Sequence, residues 1–106
     1  MSKLFREIVA LVESGQVKIY EHGYDKLSNV NIRLQYLLDT IKDSDVVEEY
    51  PNYPKGKCIL LLTQDRNRKP VHSLWGVPKG FDSPAVLITA YRPDPKRWDR
   101  SYKKRR

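Results

Sequence analysis

Apolar residues recur at helical spacing in two segments of the N-terminal half. Residues 2–14 and residues 32–42 each carry a stripe of apolar side chains three or four residues apart, the pattern of a short amphipathic helix. Ser2 and Asn31 precede the main apolar positions and are suitable N-cap residues, because their side-chain oxygens can accept an amide hydrogen of the first turn. Gly15 suits the end of the first helix. Two helices are therefore predicted, joined by a segment of different pattern.

The other apolar runs have the patterns of β-strands. Strands are predicted over residues 17–24, 45–50, 57–64, 71–77 and 85–91. In the first of these, apolar and polar side chains alternate, which places His22 on the same side as Tyr20 and Tyr24. The polar connector 65–70 is rich in turn residues, so the strands that flank it should pair as a hairpin. Pro93 ends the last strand, because proline has no amide hydrogen for a ladder.

The order of these elements is helix, strand, helix and then three or four strands. It predicts an α+β domain over residues 1–91, with two N-terminal helices packed on a small, largely antiparallel sheet of three to five strands. A chain of 106 residues has room for one core. Residues 92–106 are predicted to form a separate basic C-terminal tail.

Composition and hydropathy exclude several classes of protein. The single cysteine, Cys58, cannot form an intramolecular disulfide, and the apolar run 58–62 indicates a buried side chain rather than a reactive thiol. No apolar run approaches the length of a membrane span, and charges interrupt the N-terminal segment too early for a signal peptide. A cytoplasmic, soluble protein with no membrane partner is expected.

The formal net charge of +7 is concentrated at the C-terminus. From Arg92 onward there are eight Lys or Arg against two Asp. A localised positive field attracts a polyanion, and nucleic acid rewards clustered cations through the release of counterions. Trp98 and Tyr102 are interleaved with these charges and can stack on unpaired bases. The alternative is a disordered, solvated tail that keeps the protein soluble.

Two groups of residues are candidates for contacting nucleic acid. They are Arg66, Arg68 and Lys69 on the predicted hairpin tip, and Lys96, Arg97, Trp98, Arg100, Lys103, Lys104, Arg105 and Arg106 in the tail. An acidic run follows the second predicted helix and comprises Asp43, Asp45, Glu48 and Glu49. This run is interpreted either as a solvated edge or as a docking site for the chain's own basic tail.

His22 and His72 are the two imidazoles of the chain, and both are predicted on strands. Two imidazoles can serve as general base and general acid near neutral pH. Cleavage of RNA through its own 2′-hydroxyl needs those two groups and cations around the phosphorane, which Arg92 or the hairpin tip would supply. The alternative is that each histidine is structural. The chain has no phosphate-binding loop, nucleophile elbow or metal-ligand signature, so neither a metal nor a cofactor is expected.

Several short motifs resemble a known family. They are the His22 strand, Glu49-Tyr50, Lys69-Pro-Val-His72 and the ending Ile88-Thr-Ala-Tyr-Arg-Pro-Asp94 followed by Trp98. Across residues 6–98 the chain resembles the domain of unknown function 4258, whose members are small and mostly bacterial. The resemblance implies an α+β fold similar to the RelE/ParE toxin superfamily, which includes the BrnT-like ribonuclease toxins. Many members of that superfamily cleave RNA, often with ribosomes, and are neutralised by an antitoxin.

By this resemblance, His22, His72, Tyr91 and Arg92 are carried over as candidate catalytic residues. The chain is then expected to be a toxin-like RNA-binding protein and a candidate metal-independent ribonuclease. Its expected partners are RNA or the ribosome and a small acidic antitoxin. The chain departs from the better-studied members because its positive charge lies in the tail rather than in the sheet. The alternative is a non-catalytic nucleic-acid-binding or protein-interaction module of the same fold.

Overall fold

The structure, a computed structural model, describes residues 2–106. Within that range the chain forms three α-helices, one 3-10 turn and five β-strands. In chain order they are α1 (Lys3–Glu13), β1 (Val17–Ile19), α2 (Glu21–Asn29), α3 (Leu34–Thr40), the 3-10 turn (Ile41–Asp43), β2 (Asp45–Tyr50), β3 (Cys58–Gln64), β4 (Pro70–Gly76) and β5 (Ala85–Tyr91). The predicted α+β class is confirmed, with one helix more than predicted.

The five strands form one mixed sheet in the spatial order β1-β5-β4-β3-β2. Strands β2 to β5 pair antiparallel in the order of the sequence, and β3 and β4 form the predicted hairpin. β1 pairs parallel with β5, with Val17 opposite Ala85. The prediction of a largely antiparallel sheet is confirmed, because the connectors after β2, β3 and β4 return each strand beside the preceding one.

Helix α1 begins and ends where the sequence predicts. The side-chain oxygen of Ser2 accepts a hydrogen bond of 3.0 Å from the amide of Phe5. Gly15 has a φ of +78° just beyond the helix, a left-handed conformation that costs glycine little because it has no Cβ. The helix buries Leu4, Ile8 and Val12. Caps and apolar spacing agree in this segment, so the sequence alone specified the helix.

The strand predicted over residues 17–24 is wrong in its second half, because α2 begins at Glu21. Helix α2 packs closely on β5 at Gly23, where an added Cβ would lie 3.2 Å from the carbonyl oxygen of Leu87. Gly23 and Leu27 are buried one turn apart on the same helix face. Glycine has no side chain that could contribute to an apolar pattern. The sequence therefore does not show that the backbone of Gly23 packs against β5.

Asn31 ends α2 rather than capping the next helix. Its φ is +58°, and its amide donates to the carbonyl oxygen of Ser28 over 3.0 Å. The amide of Ile32 donates to the carbonyl oxygen of Leu27, also over 3.0 Å. This pair of bonds is the Schellman arrangement that closes a helix. The next helix therefore starts later than predicted, and its N-cap residue, Arg33, makes no side-chain capping bond.

The helices cover one face of the sheet, and the C-terminal segment covers part of the other. The main core between sheet and helices includes Ile8, Leu37, Ile59, Leu61, Trp75 and Leu87. Burial of such side chains contributes about 1.5–3 kcal/mol each to folding. Within residues 2–106, none of the helices combines the length and the apolar character that a membrane crossing requires.

Candidate functional site

Residues 97–106 fold back on themselves into a short turn-back segment, which we call the C-terminal hairpin. Trp98 and Arg105 form an antiparallel bridge within it. Two backbone hydrogen bonds of 2.9 Å flank this bridge, from the amide of Asp99 to Lys104 and from the amide of Arg106 to Arg97. The basic tail is thus a folded element, and the alternative of a disordered tail does not describe this structure.

Trp98 docks the C-terminal hairpin on the sheet. Its side chain is 3% exposed, and its ring meets the ring of His72 edge to face with centroids 4.6 Å apart. The Arg105 guanidinium lies 4.6 Å from the centre of the indole ring. The ring of Tyr91 also packs on His72, with centroids 5.3 Å apart. Trp98 was predicted to contact nucleic acid, but its burial between the imidazole and the guanidinium leaves no ring face for a base.

Both ring nitrogens of His72 are hydrogen-bonded inside the protein. Nε2 lies 2.7 Å from the carbonyl oxygen of Tyr102, and Nδ1 lies 3.1 Å from the hydroxyl of Tyr91. A carbonyl oxygen can only accept, so Nε2 carries a proton, and in the neutral ring Nδ1 then accepts from the Tyr91 hydroxyl. Burial lowers the pKa of His72, and the positive charge of Arg105 acts in the same direction. The neutral ring joins β4 to the C-terminal hairpin and has no free nitrogen for a substrate.

Two carboxylates of β2 hold the C-terminal hairpin by its cations. Arg105 donates to Glu48 over 2.9 Å, and the ammonium of Lys103 lies 3.8 Å from the carboxylate of Asp45. The hydrogen bond from Arg105 lowers the pKa of the Glu48 carboxyl. The interpretation that the acidic run docks the chain's own tail is therefore confirmed for these two acids.

The remaining cations of residues 96–106 do not take part in docking by ion pairs. Arg106 turns inward, because its Nε donates to the carbonyl oxygens of Pro95 and Trp98. Four others are exposed and form no ion pair within residues 2–106, and we call them the free cations: Lys96, Arg97, Arg100 and Lys104. The tail thus has one set of charges that fastens it to the sheet and another set that faces solvent.

The structure does not bring the two histidines together. His22 lies in α2, which packs on the helix-covered face of the sheet, and its side chain is exposed. The prediction that His22 lies on a strand is wrong, because α2 begins at Glu21 and replaces the second half of the predicted strand. His72 points to the opposite face, beneath the C-terminal hairpin. An acid–base pair on one substrate requires both groups within hydrogen-bonding reach of the same bonds, and this arrangement does not provide it.

Arg92 lies at the end of β5 and is held by internal contacts. One guanidinium nitrogen lies 2.8 Å from the Asp65 carboxylate, and the other donates to the carbonyl oxygen of Val30 over 2.8 Å. Of the four predicted catalytic residues, the structure brings His72 and Tyr91 into contact. The predicted hairpin-tip residues are exposed on the turn between β3 and β4, and they are Arg66, Arg68 and Lys69.

A groove lined by tyrosines borders the C-terminal hairpin on the uncovered part of the same sheet face; we call it the tyrosine groove. It consists of two adjoining concavities of about 280 and 430 Å³ that share Tyr53, Cys58 and Ile88. Arg105 lines the groove at the hairpin end. Tyr20 and Tyr53 expose 56% and 51% of their surface there. The groove therefore combines an apolar floor with accessible aromatic rings.

Sequence reasoning did not identify Tyr53 as a site residue. It lies in the turn-rich segment between β2 and β3, whereas Tyr20 follows β1 at the other edge of the sheet. The available signal was a single aromatic side chain among breaker residues, which is common in surface loops. Only the tertiary structure shows that the two rings line one concavity.

Within residues 2–106, no three His, Cys, Asp or Glu side chains come together as ligands for a metal ion. Residues 19–92 match the family model described as Domain of unknown function (DUF4258). That range contains all five strands in part or whole but ends before the C-terminal hairpin. No curated protein and no solved structure matches the chain significantly.

Proposed function

The chain belongs to the DUF4258 family, and we propose that it is a non-catalytic RNA-binding module. Single-stranded RNA lies in the tyrosine groove, and its phosphates contact the free cations in and next to the C-terminal hairpin. The observation that carries this proposal is that four unpaired cations, three in the C-terminal hairpin and Lys96 just before it, lie beside a groove with exposed tyrosine rings on one face of the sheet.

The free cations supply the electrostatic part of binding. Each contact between a cation and a phosphate releases counterions and makes affinity depend on salt. Trp98 and Arg105 fasten the C-terminal hairpin to the sheet, so the cations are held in place before RNA arrives. Such preorganisation reduces the entropy lost on binding. A flexible tail of the same charge would lack this advantage.

The tyrosine groove supplies the preference for unpaired bases. A base stacked on an aromatic ring contributes about 1–3 kcal/mol, whatever its sequence. Two lysines lie near these rings: the ammonium of Lys18 is 5.3 Å from the centre of the Tyr20 ring, and Lys55 lines the same concavity as Tyr53. Bases in a duplex are stacked on each other and cannot use these rings, so single strands are the expected ligand.

The proposal includes a toxin-like role that depends on RNA binding and does not include RNA cleavage. RNA or the ribosome is the target, and a similarity to the RelE/ParE superfamily would place the protein among RNA-directed toxins. Cleavage is left out, because His72 is buried and both of its nitrogens are occupied. A small acidic antitoxin would neutralise the protein by covering the free cations.

The proposal is tested by fluorescence anisotropy with a labelled 12-nucleotide single-stranded RNA over a range of salt concentrations. In one variant the free cations Lys96, Arg97, Arg100 and Lys104 are changed to Gln. The matched control removes the same charge at four exposed sites that do not line the tyrosine groove, Lys3, Arg6, Lys42 and Arg68. The slope of log affinity against log salt should fall by about 3 units in the first variant, and by much less in the control.

Tyr53→Ala and Tyr20→Ala test the groove separately. Each should weaken binding of single-stranded RNA about fivefold or more and leave binding of duplex RNA unchanged. Equal losses in the free-cation variant and its control would reject a defined interface. Binding to an acidic protein with no binding to RNA would identify the protein-interaction alternative instead.

A further inference from the structure

We propose that a second cleft, lined by three arginines, binds the phosphate and base of a single nucleotide. The cleft lies at the end of the sheet where the β3–β4 turn meets the segment between α2 and α3, and its volume is about 300 Å³. The arginines come from three separate segments: Arg33 precedes α3, Arg66 lies on the β3–β4 turn and Arg92 follows β5. This proposal does not depend on RNA binding by the C-terminal hairpin.

The charges of this cleft are not balanced by the protein. Asp65 is the carboxylate that lines it. One oxygen of Asp65 lies 2.8 Å from Arg92, and the other accepts from the amides of Asn67 and Lys69 over 2.8 and 2.9 Å. These hydrogen bonds lower the pKa of Asp65, the bond from Lys69 most, and keep it ionised.

Arg33 and Arg66 are therefore left without an ionic partner within residues 2–106. Guanidinium groups that converge on one concavity repel each other, and a bound anion removes that repulsion. Arginine is suited to phosphate, because its planar fork of N–H groups matches two phosphate oxygens at once. The charge of the cleft thus favours a phosphate group as ligand.

The rim of the cleft is held in place before any ligand binds. The hydroxyl of Tyr36 donates to the carbonyl oxygen of Gln64 over 3.0 Å, and the guanidinium of Arg66 lies 5.5 Å from the centre of the Tyr36 ring. Arg92 is fixed by Asp65 and by the carbonyl oxygen of Val30. A preorganised set of donors binds an anion with little further loss of entropy.

The size and the neutral lining of the cleft indicate more than a bare phosphate. A volume of about 300 Å³ lies at the lower end of the range for small-molecule sites. Beside the arginines, the lining includes the amides of Asn31 and Asn67 and the apolar side chain of Ile32. Amides pair with the edges of bases, as asparagine does with adenine in nucleic-acid recognition. A nucleoside phosphate supplies the anion, the polar edge and the apolar surface together.

The test is calorimetric titration of the full chain with adenosine 5′-monophosphate, adenosine and inorganic phosphate. The monophosphate should bind at least tenfold more tightly than either of the others. Arg33→Gln and Arg66→Gln should each weaken its binding tenfold or more. Arg68→Gln is the matched control, because Arg68 lies on the same turn but does not line the cleft. Unchanged circular dichroism melts of all three variants establish that the fold is kept.

Several outcomes would overturn the assignment. If adenosine binds as tightly as its monophosphate, the cleft does not recognise the phosphate. If inorganic phosphate binds as tightly as the monophosphate, the cleft does not recognise the base. If Arg68→Gln weakens binding of the monophosphate as much as Arg33→Gln and Arg66→Gln do, the cleft is not the binding site. The natural ligand could be a free nucleotide or the 5′ end of an RNA chain, and the variant that lacks the four free cations distinguishes them. Tighter binding of 5′-phosphorylated than of 5′-hydroxyl RNA by this variant would indicate the end of an RNA chain. The monophosphate is expected to bind without contacting the C-terminal hairpin. The nucleotide titration and the RNA-binding measurement can therefore fail independently of each other.

Discussion

The imidazole of His72 donates from Nε2 to the carbonyl oxygen of Tyr102 over 2.7 Å, although thirty positions separate the two residues in the chain. This bond ties the middle of the sheet to the turn of the C-terminal hairpin. Burial favours the neutral ring, which leaves Nδ1 free to accept a hydrogen bond from the Tyr91 hydroxyl. A histidine predicted to move protons on a substrate instead joins two parts of the fold.

The first prediction concerns the pH dependence of stability. The folded pKa of His72 is lowered from its ordinary value of 6.5 by burial. Below about pH 6.5 the unfolded chain therefore binds a proton that the folded protein excludes. The free energy of unfolding should fall with decreasing pH in that range, by at most about 1.4 kcal/mol per pH unit for one histidine. Urea denaturation between pH 7.5 and 5 measures this slope.

His22→Gln and His72→Gln are matched variants for this measurement. The slope should persist in His22→Gln, since His22 is exposed, and should largely disappear in His72→Gln. The window above pH 5 is chosen because the lowered pKa values of Glu48 and Asp65 place the loss of their contributions at more acidic pH. Equal slopes in both variants would show that His72 does not carry the effect.

The second prediction concerns the docking of the C-terminal hairpin. Trp98→Ala removes a side chain that is 3% exposed and should lower the free energy of unfolding by about 3 kcal/mol. Trypsin should then cleave faster at the lysines and arginines of the tail, because an undocked segment is accessible. Phe81→Ala is the control, since Phe81 is 69% exposed and its loss should cost under about 0.5 kcal/mol. Similar denaturation midpoints for the two variants would contradict the docking role.

The third prediction concerns Gly56, in the segment before β3. Its φ is +134°, and an added Cβ would lie 2.1 Å from the carbonyl oxygen of Val77. Gly56→Ala forces the backbone apart and should lower the free energy of unfolding by at least about 2 kcal/mol. Gly80→Ala is the comparison: its φ is +85° with open space around it, so about 1 kcal/mol of conformational strain is expected. Chemical denaturation of both variants decides whether the contact or the φ angle matters.

The fourth prediction concerns catalysis. Purified wild type should not cleave a labelled RNA above background at pH 7, because His22 and His72 lie on opposite faces of the sheet and both nitrogens of His72 are occupied. His22→Ala and His72→Ala should give the same result. Cleavage by wild type that is lost in His72→Ala and retained after Trp98→Ala would restore a catalytic role for the buried ring. Denaturing gel electrophoresis with a time course is sufficient to measure this.

Part of the fold could be predicted because local signals agreed with one another. Ser2 and Gly15 bound an apolar stripe, and α1 forms between them. The run that begins at Cys58 is almost wholly apolar and becomes a strand that is buried along most of its length. The prediction was wrong where the packing surface carries no side chain, as at Gly23, and where a polar residue such as Asn31 suits either end of a helix.

The candidate site could be predicted less well, because its parts come from distant segments. Charge density alone located the basic tail, and the acidic run was interpreted either as a solvated edge or as a docking site for that tail. The sequence contains nothing that assigns Arg105 to docking and Arg100 to solvent, since both are arginines in the same run. That division depends on which side of the C-terminal hairpin faces Glu48.

The amino-acid sequence by itself determined the α+β class, the main strands and the position of the excess charge, because each depends on local periodicity or on composition. The tertiary structure alone decided that His72 is buried, that His22 lies on the other side of the sheet and that the tail is partly neutralised. The physical reason is that burial and pairing depend on contacts between segments far apart in the chain. A side chain's chemistry is then decided by the groups that those contacts bring to it.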